Sequence, residues 1–224
     1  AAGNAVVCGN CYRTPLETAI EAKKTANALY LISRGAKINT VSIYGLKPEY
    51  YISWAMENST RASRTVHGNP SRFNHDELSP LQAAAILGDI DIVSALLEKG
   101  ARINDNPGRG ATPLALAAWH GHARLVEILL GRGALPDKSD GQTRTALHYA
   151  LENRRDGIAK KLLEAGAAAT PADLFGTTPL HLAARNGNRE IVQMLLARGA
   201  SRIARDSRAR TPADRAANSE IRGL

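Results

Sequence analysis

The chain has 224 residues, of which 44% are hydrophobic and only 4% are aromatic, a composition that suits one elongated domain built from Ala and Leu better than two domains with aromatic cores. The 29 Lys and Arg residues outnumber the 21 Asp and Glu residues, and a net charge of +8 favours acidic partners, nucleic acid or anionic membranes without selecting among them. No apolar run approaches the roughly 18 residues of a membrane-spanning helix, and no secretory signal is visible. Because the chain starts at Ala1 without Met, we expect it to be a piece of a longer protein.

The two cysteines, Cys8 and Cys11, stand in the motif C-G-N-C near the start of the chain. A C-x-x-C pair serves as half of a zinc site or as a redox pair. The sequence has no second cysteine pair to complete a zinc site and no βαβ context for a redox pair. We therefore expect two reduced thiols, no metal and no cofactor, in a segment, residues 1–11, that forms the tail of a preceding repeat.

Two signals recur along the chain with a fixed period. Thr followed by Pro or Ala starts at Thr112, Thr145, Thr178 and Thr211, and Gly followed by Ala occurs at Gly100, Gly133, Gly166 and Gly199. A hydroxyl residue caps a helix and proline fits its first position, whereas glycine ends a helix in the left-handed conformation. Each period therefore predicts a pair of short helices. One such pair cannot bury both of its faces, so it needs copies of itself on either side.

The most regular copy reads T-P-L-H-L-A from Thr178 to Ala183, and a near copy reads T-A-L-H-Y-A from Thr145 to Ala150. With these motifs in register at a period of 33, the chain resembles the ankyrin repeat family. The resemblance implies an all-α solenoid of stacked helix-turn-helix units with hairpin loops, about six repeats and a partial C-terminal cap. It also implies structural roles for His148 and His181, which would hydrogen-bond the backbone of adjacent loops, and for His122.

We predict a single domain, residues 1–224, with regular units at 12–40, 76–106, 107–139, 140–172 and 173–205 and a C-terminal cap at 206–224. The unit 140–172 carries Arg154 where others have a mid-repeat glycine, so its turn should be strained. In the cap, Asp214 and Arg215 replace residues that an internal repeat would bury, and the second helix is cut short. Both features are expected of a terminal unit with a polar outer face.

Residues 41–75 are the irregular part of the chain. Ser79 follows Thr14 at a separation that is one position short of two full periods. The stretch from residue 52 to 58 aligns with 147 to 153, which predicts a degenerate repeat with an insertion, although the second half lacks both the Leu-Leu stripe and the Gly-Ala stop. Insertions in repeat proteins lie on one face, often the binding face. A solvated surface insertion is the interpretation that we favour.

No catalytic constellation is visible: the sequence has no G-x-S-x-G, H-E-x-x-H or P-loop motif. His120 and His122 lie two residues apart without a third ligand, which argues against a metal site. We therefore predict a non-enzymatic protein-interaction module, a scaffold or adaptor, that binds a peptide or folded partner on its concave face. We expect it to be a monomer in the cytoplasm or nucleus. An enzyme with unfamiliar chemistry in the irregular segment is an alternative that no motif supports.

In the ankyrin repeat family, partners mostly contact the hairpin residues before Thr-Pro and the exposed residues at the end of the first helix. By register, the hairpin positions are Arg13, His75, Asp76, Leu78, Arg109, Gln142, Arg144, Leu174, Phe175, Thr177, Arg208 and Arg210. The helix-end positions are Ile86, Leu87, Trp119, His120, Glu152, Asn153, Arg185 and Asn186. The resemblance implies that these residues form the partner-binding surface.

At the centre of this surface, Ile86, Leu87 and Trp119 are large apolar side chains at positions expected to face solvent. An exposed Trp flanked by Arg has the composition of an interaction hot spot. We therefore expect an acidic partner, and we expect Trp119→Ala to weaken its binding about tenfold or more while thermal unfolding stays near that of the wild type. The alternative is that Trp119 covers a neighbouring helix.

A second feature is a cluster of arginines near the C-terminus: Arg198, Arg202, Arg205, Arg208, Arg210 and Arg215. Arg makes bidentate contacts to carboxylate and phosphate, so the alternative function is binding of nucleic acid or anionic lipid through this cluster. A terminal unit must also be soluble, and a charged cap explains the same residues without a ligand. The lack of interleaved aromatic side chains argues against single-stranded nucleic acid.

Overall fold

The computed structural model describes residues 6–8, 11–39 and 78–223. Two short antiparallel strands, β1 (Val6–Cys8) and β2 (Cys11–Arg13), come first, with Cys8 opposite Cys11. The α-helices that follow are α1 (Pro15–Glu21), α2 (Thr25–Ser33), α3 (Pro80–Leu87), α4 (Ile90–Glu98), α5 (Pro113–His120), α6 (Ala123–Gly131), α7 (Ala146–Glu152), α8 (Asp156–Glu164), α9 (Pro179–Asn186), α10 (Arg189–Ala197) and α11 (Ser219–Arg222). Single 3-10 turns lie at Pro107–Arg109 and Ala213–Arg215.

The predicted start signals are helix caps. The hydroxyl groups of Ser79, Thr112 and Thr178 accept hydrogen bonds from the N–H three residues further on, and proline occupies the first helical position after each of them. The predicted strain in the turn of unit 140–172 is also confirmed. Arg154 has a φ of +55°, in the left-handed region that glycine occupies at the equivalent position of the next unit, Gly187. None of the described helices is long and apolar enough to cross a membrane.

The helices form two layers, which confirms the predicted all-α solenoid. The first helices of the units, α1, α3, α5, α7 and α9, pack side by side in chain order, and the second helices α2, α4, α6, α8 and α10 cover them. Alanines at one equivalent position of successive units are fully buried between the first helices: Ala84, Ala117, Ala150 and Ala183. Because their side chains are small, the first helices approach closely.

The motif histidines tie each unit to the next, as predicted. His181 Nδ1 accepts from the N–H of Thr178, and its Nε2 donates to the carbonyl oxygen of Arg210 in the following loop (3.0 Å). His148 makes the same pair of hydrogen bonds with Thr145 and Thr177, and burial lowers the pKa of both imidazoles. Gln82 takes the place of His in its unit and bonds to Ala111 O (2.7 Å). Neutral side chains therefore hold the loops in register.

The first described helix pair stacks directly on α3 and α4. Asn39 Nδ2 donates to Gly100 O, and Asn39 Oδ1 accepts from Arg102 N. Asn104 makes the equivalent two hydrogen bonds to the next unit. The partners are separated by 61 residues in the first case and by 29 in the second. The two contacts are equivalent, but the one that bridges the connection between α2 and α3 joins residues about twice as far apart in the sequence.

The prediction of a degenerate repeat at 41–75 lies outside the described residues. The residues on either side of it are nevertheless in contact, since Thr25 Oγ1 at the start of α2 donates to Asp89 Oδ2 at the start of α4 (2.7 Å). The equivalent bond between α8 and α10 joins Asp156 and Asn188. The two helix pairs on either side of the irregular segment are therefore direct neighbours in the stack.

Deletion of residues 42–73 is expected to leave the solenoid folded. It restores the regular period between Thr14 and Ser79, and it keeps Asn39 for its contacts with Gly100 and Arg102. Shortening the connection about threefold should raise the free energy of unfolding by about 1 kcal/mol. Urea unfolding followed by circular dichroism measures this change. A decrease of several kcal/mol would mean that the deleted segment contributes a unit to the stack.

The C-terminal unit is short, as predicted for a cap. Its first helix is reduced to the 3-10 turn Ala213–Arg215, and α11 has only four residues. Asp214 is exposed, whereas Ile221 is buried against the preceding unit. The N–H of Ala217 donates to Ala184 O at the end of α9 (3.0 Å). The polar turn is therefore followed directly by a backbone hydrogen bond to the last full unit.

Candidate functional site

Four hairpin loops project before the first helices of the last four units, at residues 107–111, 140–144, 173–177 and 206–210. Neighbouring loops are joined at their tips by backbone hydrogen bonds, from Gly141 N to Arg109 O (2.7 Å), from Leu174 N to Gln142 O (3.1 Å) and from Ser207 N to Phe175 O (2.7 Å). These bonds bring four predicted hairpin residues into a single line, which we call the tip row: Arg109, Gln142, Phe175 and Arg208.

An aspartate builds each of the last three loops. Oδ1 of Asp173 accepts from the N–H groups of Phe175 and Thr177 (2.9 and 2.8 Å), and Asp140 and Asp206 make the corresponding bonds two and four residues further on. Aspartate favours such turns because its short side chain replaces a backbone acceptor. The regular recurrence of Asp140, Asp173 and Asp206 is visible in the sequence and is the signal that would have predicted these turns. As a result, each of these three carboxylates is turned toward the backbone of its own loop.

The outer side of the tip row is apolar and basic. Leu174 and Phe175 are 65% and 48% exposed, and Arg109 and Arg208 are exposed on the first and the last of the four loops. Within the part of the chain that the structure describes, neither guanidinium has an ion-pair partner. Gln142 is half-buried. Phe175 of the tip row and its neighbour Leu174 therefore form an apolar pair, and Arg109 and Arg208 add two cations that the described residues leave unneutralised.

The expectation that Trp119 and Ile86 face solvent is wrong. Trp119 is only 8% exposed and packs edge-on against Tyr149 of the next first helix, with 5.6 Å between ring centroids. Ile86 is 7% exposed, and its carbonyl accepts from His122 Nε2 (2.8 Å). Because the neighbouring unit covers Ile86 and Trp119, these two apolar side chains at the ends of the first helices belong to the core. Leu87 is half-buried and packs against the same core.

Arg144 and Thr177 are also buried, contrary to the prediction that they contact a partner. Arg144 is 3% exposed, and its guanidinium donates to Asp140 (3.1 Å), to Glu152 (3.3 Å) and to Tyr149 Oη (2.8 Å). Thr177 is 7% exposed, and its carbonyl accepts from His148. The hydrogen bonds of Arg144 stay within its own unit, and the Thr177 carbonyl joins its loop to the preceding unit, so both residues serve the solenoid.

Tyr149 completes the buried polar cluster around Arg144. Its hydroxyl donates to Asp140 Oδ2 (2.6 Å), and the Arg144 guanidinium carbon lies 4.6 Å from its ring centroid. Burial raises the pKa of Tyr149 well above its ordinary value, so the hydroxyl keeps the proton that it donates. The cluster fills the space beneath the hairpin 140–144.

Most of the C-terminal arginines are held by the chain itself. Arg198 donates to the carbonyl oxygens of Met194 and Leu163. Arg205 donates to Ala209 O (2.7 Å). Arg210 and Arg215 both pair with Asp206 Oδ2, at 3.0 and 2.5 Å. The two members of the cluster without such a contact among the described residues are Arg202 and Arg208.

The remaining predicted contact residues divide into three groups. His75 and Asp76 lie outside the described residues, and only the backbone of Arg13, in β2, is described. His120 and Arg185 are exposed at helix ends. The partly buried residues are Leu78, Glu152, Asn153, Asn186 and Arg210. Of these, Asn153 donates to Tyr149 O at the end of its own helix, whereas Asn186 at the end of α9 donates to Leu151 O of α7 and so joins two neighbouring units.

Asp206 gives the C-terminal end a pH-dependent stability. Burial of its carboxylate favours the neutral form, but the N–H groups of Arg210 and Arg208 and the guanidiniums of Arg210 and Arg215 outweigh this effect and hold its pKa well below the ordinary value. As the pH falls, the unfolded chain therefore takes up this proton before the folded chain does. The stabilisation is present above the unfolded-state pKa and is lost as the pH falls through the folded-state value.

Accordingly, the difference in free energy of unfolding between the wild type and Asp206→Asn is expected to be constant near neutral pH and to shrink below about pH 4. Comparison of the two proteins removes the contributions of titrating groups that Asp206 does not influence, including His148. Urea unfolding at a series of pH values from about 6 to about 2 measures the difference. A difference that stays constant over this range would show that the carboxylate is not stabilised in the folded state.

The family comparison agrees with this architecture. A family model described as "Ankyrin repeats" matches the chain in three overlapping copies, over residues 53–140, 106–173 and 133–206. The matched region covers well over half of the chain. Its first copy begins inside the segment 41–75, whose repeat character stays a prediction. No curated protein matches the chain.

Proposed function

The chain belongs to the ankyrin repeat family, and from this we propose that it is a non-enzymatic module that binds another protein on its concave face. We define the concave face as the surface formed by the four hairpin loops and the C-terminal ends of the first helices. Ankyrin repeats are generally protein-interaction modules, and the surface positions that vary between units choose the partner. In this role the chain acts as a scaffold or adaptor in the cytoplasm or the nucleus.

The observation that carries the proposal is the tip row. Its side chains are not required by the repeat: Arg109, Gln142, Phe175 and Arg208 are equivalent positions with three different residue types. The last three loops are held by the same aspartate hydrogen bonds, and backbone hydrogen bonds join all four tips. A rigid scaffold that presents variable side chains is the usual arrangement of a recognition surface. Rigidity also lowers the entropy lost on binding.

The alternative, binding of nucleic acid or anionic lipid by the C-terminal arginines, is less well supported. Of the six arginines, Arg198, Arg205, Arg210 and Arg215 donate to carbonyl or carboxylate oxygens of the chain. Release of the bonds from Arg210 and Arg215 would leave the buried carboxylate of Asp206 without its cations. Phosphate binding would therefore compete with contacts that stabilise the C-terminal unit.

Site-specific photo-crosslinking tests the proposed function. A photoreactive phenylalanine analogue is placed at Phe175 or at Gln142 in the tip row, and at Gln193, an exposed residue of α10 in the layer of second helices, as the matched control. The protein is irradiated in an extract of the cells that make it. We expect protein adducts from the two tip positions and none from the control.

Adducts that form only at Gln193 would place the binding surface on the second helices and contradict the proposal. The absence of protein adducts at all three positions, together with salt-sensitive retention of the chain on nucleic acid or anionic vesicles, would favour the alternative.

A further inference from the structure

We propose that the tip row binds a linear acidic segment of the partner protein, with one large apolar side chain of that segment seated on Leu174 and Phe175. This inference rests on the proposed function and names the chemistry of the ligand. The carboxylates of the segment pair with Arg109 and Arg208, which lie in the tip row on either side of the apolar pair.

The apolar pair is not needed to build its loop. At the equivalent positions the neighbouring loops carry Gly141 with Gln142 and Ser207 with Arg208, and the same aspartate hydrogen bonds form in all three. The solenoid therefore tolerates polar residues here, yet Leu174 and Phe175 leave 65% and 48% of their surfaces in water. Exposed large apolar residues next to each other, rimmed by polar ones, mark interaction sites. Aromatic residues are among the commonest hot spots.

The charge of the tips selects an acidic segment. Asp140 and Asp206 are buried beneath the loops and paired with Arg144 and Arg210, so these acids add little negative charge to the outer surface. Asp173 is half-buried and accepts two N–H groups of its own turn. Arg109 and Arg208 are exposed, and the described residues offer them no carboxylate. A carboxylate of the partner meets bidentate donors there, whereas a basic segment is repelled.

The arrangement of the tips favours a linear segment. Backbone hydrogen bonds from Gly141 to Arg109, from Leu174 to Gln142 and from Ser207 to Phe175 join four loops into one row. The contact positions consequently lie in a line across neighbouring units rather than around a closed pocket. A segment that crosses the row meets a cation, the half-buried Gln142, the apolar pair and a second cation in that order. This order is the predicted recognition pattern.

The test is an unbiased selection from a random peptide library displayed on phage, with the full chain immobilised as bait. We expect the enriched peptides to contain several Asp or Glu residues and one large apolar residue. The affinity of one enriched peptide, made synthetically, is then measured by fluorescence anisotropy for the wild type and for four variants.

Two variants alter the tip row and two are matched controls. Leu174→Ser/Phe175→Ser removes the apolar pair, and Arg109→Glu/Arg208→Glu reverses the flanking charges. Tyr30→Ser removes another exposed aromatic side chain, in α2, and Arg132→Glu reverses an exposed arginine after α6. We expect each tip-row variant to weaken binding at least about tenfold, as loss of a hot spot does, and each control to bind like the wild type. The effect of charge reversal should diminish at high salt.

Peptides that are basic or purely apolar, or acidic peptides whose affinity is unchanged by both tip-row variants, would overturn this inference. If such peptides still prevent the partner protein from cross-linking at Phe175, the proposed function stands and only the chemistry of the ligand is wrong. Failure to enrich any peptide would overturn the linear segment as ligand, while the cross-linking result decides independently whether the face binds a folded protein. Circular dichroism of all four variants shows whether they are folded.

Discussion

Trp119→Ala is expected to lower the free energy of unfolding by about 3 kcal/mol or more, the range found when a buried Trp or Phe is truncated. Trp119 is 8% exposed and packs edge-on against Tyr149, so alanine leaves a cavity between α5 and α7 and removes an aromatic pair. This expectation reverses the one drawn from the sequence, in which Trp119 contacts the partner and stability is unaffected.

Urea unfolding followed by circular dichroism measures the effect, with Tyr30→Ala as the matched control. Tyr30 is 63% exposed, so its truncation should change the free energy of unfolding by no more than about 0.5 kcal/mol. Each unit of a solenoid contacts only its neighbours. In Trp119→Ala, the rate of backbone amide hydrogen exchange should therefore increase most in α5 and α7 and least in α10. If Trp119→Ala unfolded with the same urea midpoint as the wild type, the Trp119 side chain would not be part of the core.

Arg144→Ala is expected to cost about 3–5 kcal/mol, because it leaves the buried carboxylate of Asp140 without its cation. Asp140 and Arg144 are 8% and 3% exposed, and their side chains are 3.1 Å apart. Tyr149→Phe removes only the hydroxyl, which donates to Asp140 and accepts from Arg144, and leaves the two charges paired, so it should cost about 1–2 kcal/mol. The order of the two effects reflects the difference between an unpaired charge and an unmade hydrogen bond.

The double variant Asp140→Asn/Arg144→Met separates charge from packing. It removes both charges, and the amide oxygen that replaces the carboxylate can still accept the backbone N–H groups of positions 142 and 144 that shape the loop. We expect it to be more stable than Arg144→Ala by at least about 1 kcal/mol. Chemical denaturation of the three proteins at one pH measures this order. A double variant less stable than Arg144→Ala would mean that the carboxylate is tolerated without a partner.

The elements that repeat were predictable from the sequence because each repeated residue has a local physical role. Thr178 caps a helix, Pro179 fits its first position, and His181 bonds to the loop 29 residues further on. Arg154 stands where three other units carry Gly88, Gly121 and Gly187, and its positive φ confirms the predicted strain. Local chemistry repeated at a fixed spacing therefore predicted the fold, the caps and the ties between units.

The contacts that depend on one residue in the neighbouring unit were not predictable from the register. The register places Trp119 at the surface, but the side chain is buried because it packs against Tyr149. Tyr149 occupies the position that Leu182 holds in the next unit. The register likewise places Arg144 at the partner-binding surface, but Asp140, four residues earlier, pairs with it and keeps it buried. By contrast, Phe175 was assigned correctly to an exposed position, since its loop projects beyond the stack.

The most direct test of the account compares binding and stability in Leu174→Ser/Phe175→Ser, using the protein that cross-links at Phe175. We predict at least about tenfold weaker binding with a wild-type urea midpoint, because the pair lies on the loop tips and outside the core. Wild-type binding by this variant would contradict the assignment of the tip row as the partner-binding surface, and a lowered midpoint would show that the pair contributes to the fold.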